Sequence, residues 1–503
     1  MISIPSLVAL AICAIACRIL YRRNFHPLAH IPGLFLASFS RLWLLYHTLR
    51  GEQHISHLAV HARYGPVVRV GPNHILLSDP DRGPWYYSLD KSDWWYCFRP
   101  NDHDLAFSTE LGIKQHNVKK KRVAGSYSMT ALLANEGAMD NRITEFIVRM
   151  DEIAAAKSKT DMGSWMNYLN FDILMDMVFS APPGFIKQGK DVKALIAANQ
   201  TFVKMAQFIG IYPILYRILQ LPFISAFGPK STDKEGAGLL FGIAERSVAS
   251  RLQTDGKGEK QKDMLQSLVS HRDINDQPIP PADLKNEAIV AMASGADTTS
   301  CILRAAILYV TSNPRVHSTL LAEIDGADTA GKLSSPVRYN EVRGFTYLHA
   351  VIQELIRIHP PMASPFWRAA PKGGVVIDGF FIPEGTHVGI NEWVIARNKA
   401  LYGEDVEVFR PERWIEVDAE TKRMREKLDV FFGYGDYMCL GRNFAMMQLY
   451  KVIVEVFRRF EVVVANPERP WRSRATISFT HEEFYCVVRR RSSAFGAEAG
   501  KNG

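Results

Sequence analysis

"FFGYGDYMCLGRNFAMMQ", residues 431–448, sets three glycines and a single cysteine directly before a run that reads as a helix. Glycine supplies backbone conformations closed to other residues, so a loop this rich in it can be shaped around one atom. The atom on offer is the sulfur of Cys439. Taken alone, such a loop is more often a small buried hydrophobe among turn residues. The rest of the chain has to decide.

The 503 residues are 47% hydrophobic, 11% aromatic and 22% charged, enough apolar material for a large buried core and too much for a disordered chain. Length alone allows about three domains. No Pro/Gly/Ser-rich linker divides the interior, so one large catalytic unit is expected. The six cysteines, Cys13, Cys17, Cys97, Cys301, Cys439 and Cys486, are scattered with no CxxC pair. That spacing fits a reducing compartment and argues against disulfide staples and zinc clusters. The net charge of +8 has its densest run at Lys119, Lys120, Lys121 and Arg122, with no zinc, RNP or helix-turn-helix pattern beside it. Nucleic acid is therefore not an expected partner. A solvated helix face, an acidic protein and a buried anionic cofactor remain open for that run.

Residues 1–23 read as a membrane anchor. There is no charge from Ile2 to Cys17, and a helix continuing to Tyr21 covers about 30 Å, one hydrocarbon core. Ala14-Ile15-Ala16 has the form of a signal-peptide cleavage site, but no basic segment precedes the apolar run. Arg18, Arg22 and Arg23 follow it instead, which retains the remainder on the cytosolic side. Residues 24–50 are taken as a connector, stiff and extended through "FHPLAHIPG" because of Pro27, Pro32 and Gly33. Residues 51–490 form the catalytic domain and 491–503 a polar tail.

Periodicity predicts a mainly helical fold with small β-sheets. "VVRVGPNHILLSDP" (67–80) reads as a hairpin, residues 130–325 as helices interrupted near 225–237 and 254–263, and "GGVVIDGFFIPEGTHVGI" and "FYCVVRR" as strands. One helix, expected from Asp283 to Asn313, is apolar on nearly every face and so crosses the core. Its centre nevertheless holds Gly295, Asp297 and Thr298. The threonine can bond back to the preceding turn and the acid can sit at a kink without function. Alternatively the acid and alcohol pass protons to a ligand, with Gly295 letting that ligand approach the backbone. In "FTYLHAVIQELIRIHPP", Glu354 and Arg357 share a helix face, and Arg413 in "VFRPERW" can complete a Glu-Arg-Arg cluster.

In chain order these segments resemble the cytochrome P450 family of haem-thiolate monooxygenases. "SGADTTS" is similar to the family's acid-alcohol segment, "ELIR" to its Glu-x-x-Arg helix, "FRPERW" to its Pro-Glu-Arg segment and "FGYGDYMCLG" to its cysteine loop. With the anchor and "ISFTHEEFYCVV", the resemblance spans almost the whole chain, most like fungal microsomal members. It implies a haem b whose axial ligand is the Cys439 thiolate, with Phe432 beside the ligand and Gly435 and Gly441 turning N–H groups toward the sulfur. His116, Lys120 and Arg368 are the implied propionate partners. Tyr437 departs from the pattern, standing where an arginine or histidine usually meets a propionate.

The resemblance further implies electrons from an NADPH-dependent reductase, steered by Arg442 and the lysine run, and a proton relay through Asp297 and Thr298. Met292, Ala363, Ser364, Phe366 and Ser478 would line the site of a hydrophobic small molecule. The implied reaction is insertion of one oxygen atom from O2, in secondary metabolism, by a single-pass protein of the endoplasmic reticulum membrane. Oxidative coupling, ring closure or isomerisation at the same haem stays open. Two other classes fit less well. A haem sensor or scaffold needs no acid-alcohol pair, and a cysteine hydrolase needs a base, for which only the remote His481 offers itself.

Overall fold

The computed structural model describes residues 3–99, 105–254, 262–272 and 276–492. Its spine is the helix Pro281–Thr311. Pro281 can open it because the first turn needs no N–H there, and Pro314 opens the next helix three residues past its end. The core helix thus lies two residues toward the N-terminus of the expected span. Leu284, Ala288, Ala296, Ile302, Leu303 and Ile307 bury it on several sides. Its most extensive neighbour is the helix Met162–Phe179, itself buried nearly throughout. The helix that follows the cysteine loop, Arg442–Arg459, also packs on it.

Small sheets flank this helical body. The predicted hairpin forms from Val67–Gly71 and His74–Leu77. His74–Leu77 then runs parallel to His387–Ile390, which pairs antiparallel with Arg368–Ala369 at the sheet's edge. A three-stranded sheet joins Lys159–Asp161, Tyr485–Arg490 and Phe460–Val464. Hairpins at 375–382 and 472–482 complete the strands. The mainly helical fold expected from the sequence is observed.

The N-terminal helix, Ile4–Asn24, buries none of its residues and is long and apolar enough to cross a membrane. The segment after it is not extended. It turns back at His26 to Leu28, and Gly33 bridges to Arg69. The cause is Arg69, whose buried guanidinium donates to the carbonyls of Leu28 (3.3 Å), Ser38 (2.9 Å) and Pro72 (2.9 Å). The expected connector also contains a helix, Leu42–Arg50, that packs on the hairpin. At the other end, Arg491, read as the start of the tail, is held by Asp325 (2.7 Å) and by its own N–H on Arg459 O. Residues 493–503 and most of 254–263 lie outside the described residues.

Candidate active site

The cysteine loop is two short 3-10 turns, Asp429–Phe432 and Gly435–Tyr437, running into the N-terminus of Arg442–Arg459. Gly433, which the sequence reading passed over, is the glycine the turn cannot spare. Its φ is +81°, and a Cβ there would lie 2.5 Å from Tyr437 O. Gly435 is also left-handed, at φ +53°. Gly441 has an ordinary φ of −72°; its N–H favours the Cys439 sulfur as an anion, as does that of Arg442, which donates to Cys439 O at 3.4 Å. The Cys439 N–H bonds Phe432 O at 2.6 Å. Lys120 Nζ donates to Asp436 O (2.6 Å) and Met438 O (2.7 Å), tying the loop from the Ile113–Val123 helix.

Burial pushes the Cys439 thiol up, while the two N–H groups and the Lys120 charge pull it down. Cys439 keeps accessible surface at the head of the Arg442–Arg459 helix. Such a sulfur is available to a bound group.

The acid-alcohol pair is separated in its hydrogen bonding. Asp297 is buried, and its carboxylate accepts from Asn199 Nδ2 at 2.9 Å, an amide carried by the helix Leu195–Ile211. Burial raises its pKa; the Arg304 charge and the Asn199 bond oppose that. Thr298 Oγ1 donates back to Ser294 O at 3.2 Å. Gly295 does not open the backbone to a ligand. A Cβ there would meet Leu174 at 2.9 Å, so the glycine serves the close approach of Met162–Phe179, whose Asn170 donates to Gly295 O at 2.9 Å.

Glu354, Arg357 and Arg413 do assemble, and more completely than expected. Arg357 clamps the Glu354 carboxylate through Nε (2.8 Å) and Nη2 (2.7 Å), and Arg413 Nε reaches it at 3.1 Å. Trp414 Nε1 (2.8 Å) and Arg410 N (3.0 Å) donate to the same carboxylate. The remaining guanidinium nitrogens hold backbone, Arg357 Nη1 on Ala396 O and Val406 O and Arg413 Nη1 on Tyr402 O. All three charged residues are fully buried.

Of the expected propionate partners, Arg368 is buried with its Cζ 3.9 Å from the Tyr437 ring centroid. His116 is not free. Its Nδ1 lies 2.8 Å from Phe107 O and its Nε2 3.0 Å from Asp436 O, and burial lowers its pKa to about 4. Its role is to brace the loop. The basic run is also largely engaged: Lys119 pairs with Glu110 (2.9 Å), Arg122 with Asp283 (3.6 Å) and Arg442 with Asp429 (2.9 Å), leaving Lys121 exposed.

Among the expected lining residues, Met292 is buried on the long helix. Ala363 N bonds Ile477 O (2.9 Å) and Met362 bridges Ser478, so those two segments form one edge. Phe366 stacks on Trp95 at 5.2 Å, and Ser364 borders a cavity of about 10 Å³ with His57, Trp94 and Gln207. Those two face the sheet-side aromatic cluster. His481 bonds His359 (Nε2 to Nε2, 3.0 Å), grouped with Cys301. Burial depresses both imidazoles and keeps them neutral, with the Arg304 guanidinium nearby.

A cysteine held at a helix N-terminus, a long core helix carrying an acid and an alcohol, and a buried Glu-Arg-Arg lock form the arrangement of a haem-thiolate protein. The comparison with known families agrees: residues 37–486 match the family model for Cytochrome P450. The chain belongs to the cytochrome P450 family. It is 32% identical over 481 residues to the cytochrome P450 monooxygenase gsfF of Penicillium aethiopicum, covering 93% of each chain. It is 31% identical over 500 residues to the cytochrome P450 monooxygenase ABA1 of Pyricularia oryzae, covering 96% of each. Against cicH of Emericella nidulans the figure is 30% over 481 residues, 92% of this chain and 94% of the relative.

The family implies a haem held by a cysteine thiolate. The residues present suit such a group. Among the described residues, Arg368 Nε and Nη1 and the Tyr437 hydroxyl are buried without a hydrogen-bond partner, two residues along the backbone from Cys439 in the case of Tyr437. Unpaired buried donors of this kind call for an anionic or strongly accepting ligand.

Proposed function

We propose that the protein is a membrane-anchored monooxygenase that inserts one oxygen atom from O2 into a hydrophobic small molecule of fungal secondary metabolism. In this reading haem b is bound by the Cys439 thiolate, and electrons come from an NADPH-dependent reductase. The observation that carries it is the accessible Cys439 sulfur at a helix N-terminus, where the backbone N–H groups of Gly441 and Arg442 favour its anion. When bound, a haem with a thiolate ligand supplies activation of O2 by oxygen-oxygen cleavage.

The chain's own residues do the rest. Gly441 and Arg442 hold the sulfur as the anion from the positive end of their helix. Lys120 and His116 fix the loop's carbonyls. Arg368 offers a guanidinium to a carboxylate of the cofactor. Asp297 accepts and releases the proton that Thr298 passes inward, once its bond to Asn199 opens. The apolar helix Ile4–Asn24, with Arg22 and Arg23 in its last turn, supports a single-pass anchor in the endoplasmic reticulum with the remainder cytosolic.

A second reading, coupling, ring closure or isomerisation at the same site, draws support from the resting geometry, in which Thr298 bonds its own helix and Asp297 bonds Asn199. The deciding experiment for the site is the carbon-monoxide spectrum of the reduced protein. A strongly red-shifted Soret band is expected, and Cys439→Ser abolishes it; a variant that keeps the band overturns the assignment.

A further inference from the structure

Tyr437 leaves a question that the family resemblance raises and does not answer: what replaces the cation usually found there? The neighbouring geometry supplies one from a different part of the chain. Lys91, in "SLDKSDWWY", is 4% exposed, and its Nζ lies 5.1 Å from the Tyr437 ring centroid and 4.6 Å from that of Trp95. The same Tyr437 ring carries Arg368 at 3.9 Å, and Arg368 also lies 5.6 Å from Trp95. Two aromatic rings therefore form a shared platform for two buried cations. The backbone fixes this juxtaposition, since Lys91 and Arg368 are bridged to one another, and Lys91 N bonds Leu111 O at 3.0 Å.

Among the described residues the charges around this platform do not balance. Lys91 Nζ donates to Ser108 O (2.6 Å) and approaches His116 Nδ1 (3.3 Å), both uncharged partners. Among the described residues, Glu110 is the carboxylate that acts on it, and that side chain is paired with Lys119. Arg368, Arg99 and Lys120 all oppose its charge. Asp90 and Asp436 act on Tyr437, but Asp90 Oδ1 is occupied by Ile113 N at 2.8 Å. Arg368, for its part, keeps Nε and Nη1 without partners among the described residues. Burying two cations side by side is costly unless an anion joins them, and burial with Arg368 drives the Lys91 amine far down in the chain by itself. A ligand bearing two carboxylates removes that imbalance.

We propose that Lys91 is a carboxylate-binding residue of the cofactor pocket, supplying from the segment before "SDWWY" the positive charge that position 437 lacks, with Tyr437 as the aromatic platform that holds Lys91 and Arg368 together. The proposal rests on the haem reading given above, the carboxylates being the two propionates. It accounts for the departure at Tyr437 as an exchange of position, the cation moving to Lys91 and the ring serving both cations.

The test uses the full-length haem protein in detergent and measures the rate at which haem is lost to excess apomyoglobin. Lys91→Met and Lys91→Gln are expected to lose haem roughly ten- to a hundredfold faster, the loss of one charge-assisted hydrogen bond. Their reduced carbon-monoxide spectra stay those of a thiolate protein. Lys91→Arg stays near the wild-type rate, and Tyr437→His placed on Lys91→Gln restores slow loss by returning a donor to the usual position. Wild-type rates in both charge-removing variants overturn the proposal. So does faster loss that neither Lys91→Arg nor Tyr437→His corrects, since that is the behaviour of a packing residue. A wild-type chain purified without any Soret absorption overturns the haem reading itself and the proposal with it.

Discussion

The Asp297 carboxylate accepts a hydrogen bond from the Asn199 amide at 2.9 Å, joining the long core helix to the helix Leu195–Ile211. This bond favours the ionised acid against its burial, as does the Arg304 charge. Removing it in Asn199→Ala leaves the carboxylate harder to ionise, so its pKa rises further. If Asp297 must be ionised to move a proton, the acid limb of the rate-pH profile shifts to higher pH in Asn199→Ala, and Asp297→Asn abolishes that limb with slow turnover. The check is product formation against pH with a reconstituted reductase. An unmoved acid limb in Asn199→Ala removes Asp297 from the relay.

Thr298 makes one long bond, to Ser294 O at 3.2 Å. Its removal in Thr298→Ala is expected to leave haem content, melting temperature and substrate affinity near wild type. Product per NADPH falls and released hydrogen peroxide rises, the pattern of an interaction made only during turnover. Full coupling in the variant favours the rearrangement reading.

Glu354 is the acceptor for two buried guanidinium groups, a buried indole and the backbone N–H of the half-buried Arg410. Glu354→Gln leaves the buried Arg357 without its carboxylate and Arg413 with Asp405 alone (3.3 Å), a loss of about 3–5 kcal/mol for breaking a buried pair. Arg413→Lys is expected to fail similarly, because an ammonium cannot reach Glu354 Oε1 and Tyr402 O with the geometry of a planar fork. Yield of folded haem protein and its melting temperature measure both.

The parts of the site legible in the sequence are those whose partners are close along the chain. Glu354 and Arg357 are one helical turn apart, and the Cys439 loop leads straight into its helix. Asn199 was not legible. It stands 98 positions from Asp297, on a helix whose periodicity reports only that one face is buried. Lys91 escaped for the same reason, its pairing with Arg368 being an isolated bridge between segments far apart in the chain. Trp414 and Gly433 sit inside quoted motifs, yet their roles depend on a donor direction and a positive φ that residue types do not fix. The connector was misread because two prolines suggest an extended chain, while the buried Arg69 gathers carbonyls and forces turns. Fold class was the easiest reading, since a helix apolar on nearly every face has few environments open to it.

None of the helix Ile4–Asn24 is buried against the rest of the protein. Deleting residues 1–20, which spares the contacts of Arg22 with Phe39 O and Arg69, is therefore expected to leave the melting temperature of the remainder unchanged and to release much of the chain from microsomes. The expected partition is into the carbonate supernatant. Retention in the carbonate pellet equal to that of the full chain shows that the helix is not what holds the protein to the membrane.

Glu287 gives a stability prediction with a defined sign. It is buried beside the Phe107 N–H, which donates to Oε1 at 2.7 Å, and its pKa is raised to about 8, mainly by burial. In the unfolded chain the same carboxyl ionises in the ordinary range near 4. Between those values the folded state binds more protons than the unfolded state, so stability falls as pH rises, by at most about 1.4 kcal/mol per pH unit. Below the unfolded value both states are protonated and the effect is absent; above about 8 both are ionised and it is constant. Glu287→Gln keeps an acceptor for the Phe107 N–H and does not titrate. Relative to wild type it is expected to gain little at pH 5 and progressively more up to pH 8, read from thermal melts across that range. Parallel pH profiles for the two proteins would mean that Glu287 is ionised in the fold, held so by the charges of Lys119 and Lys91 that oppose its protonation.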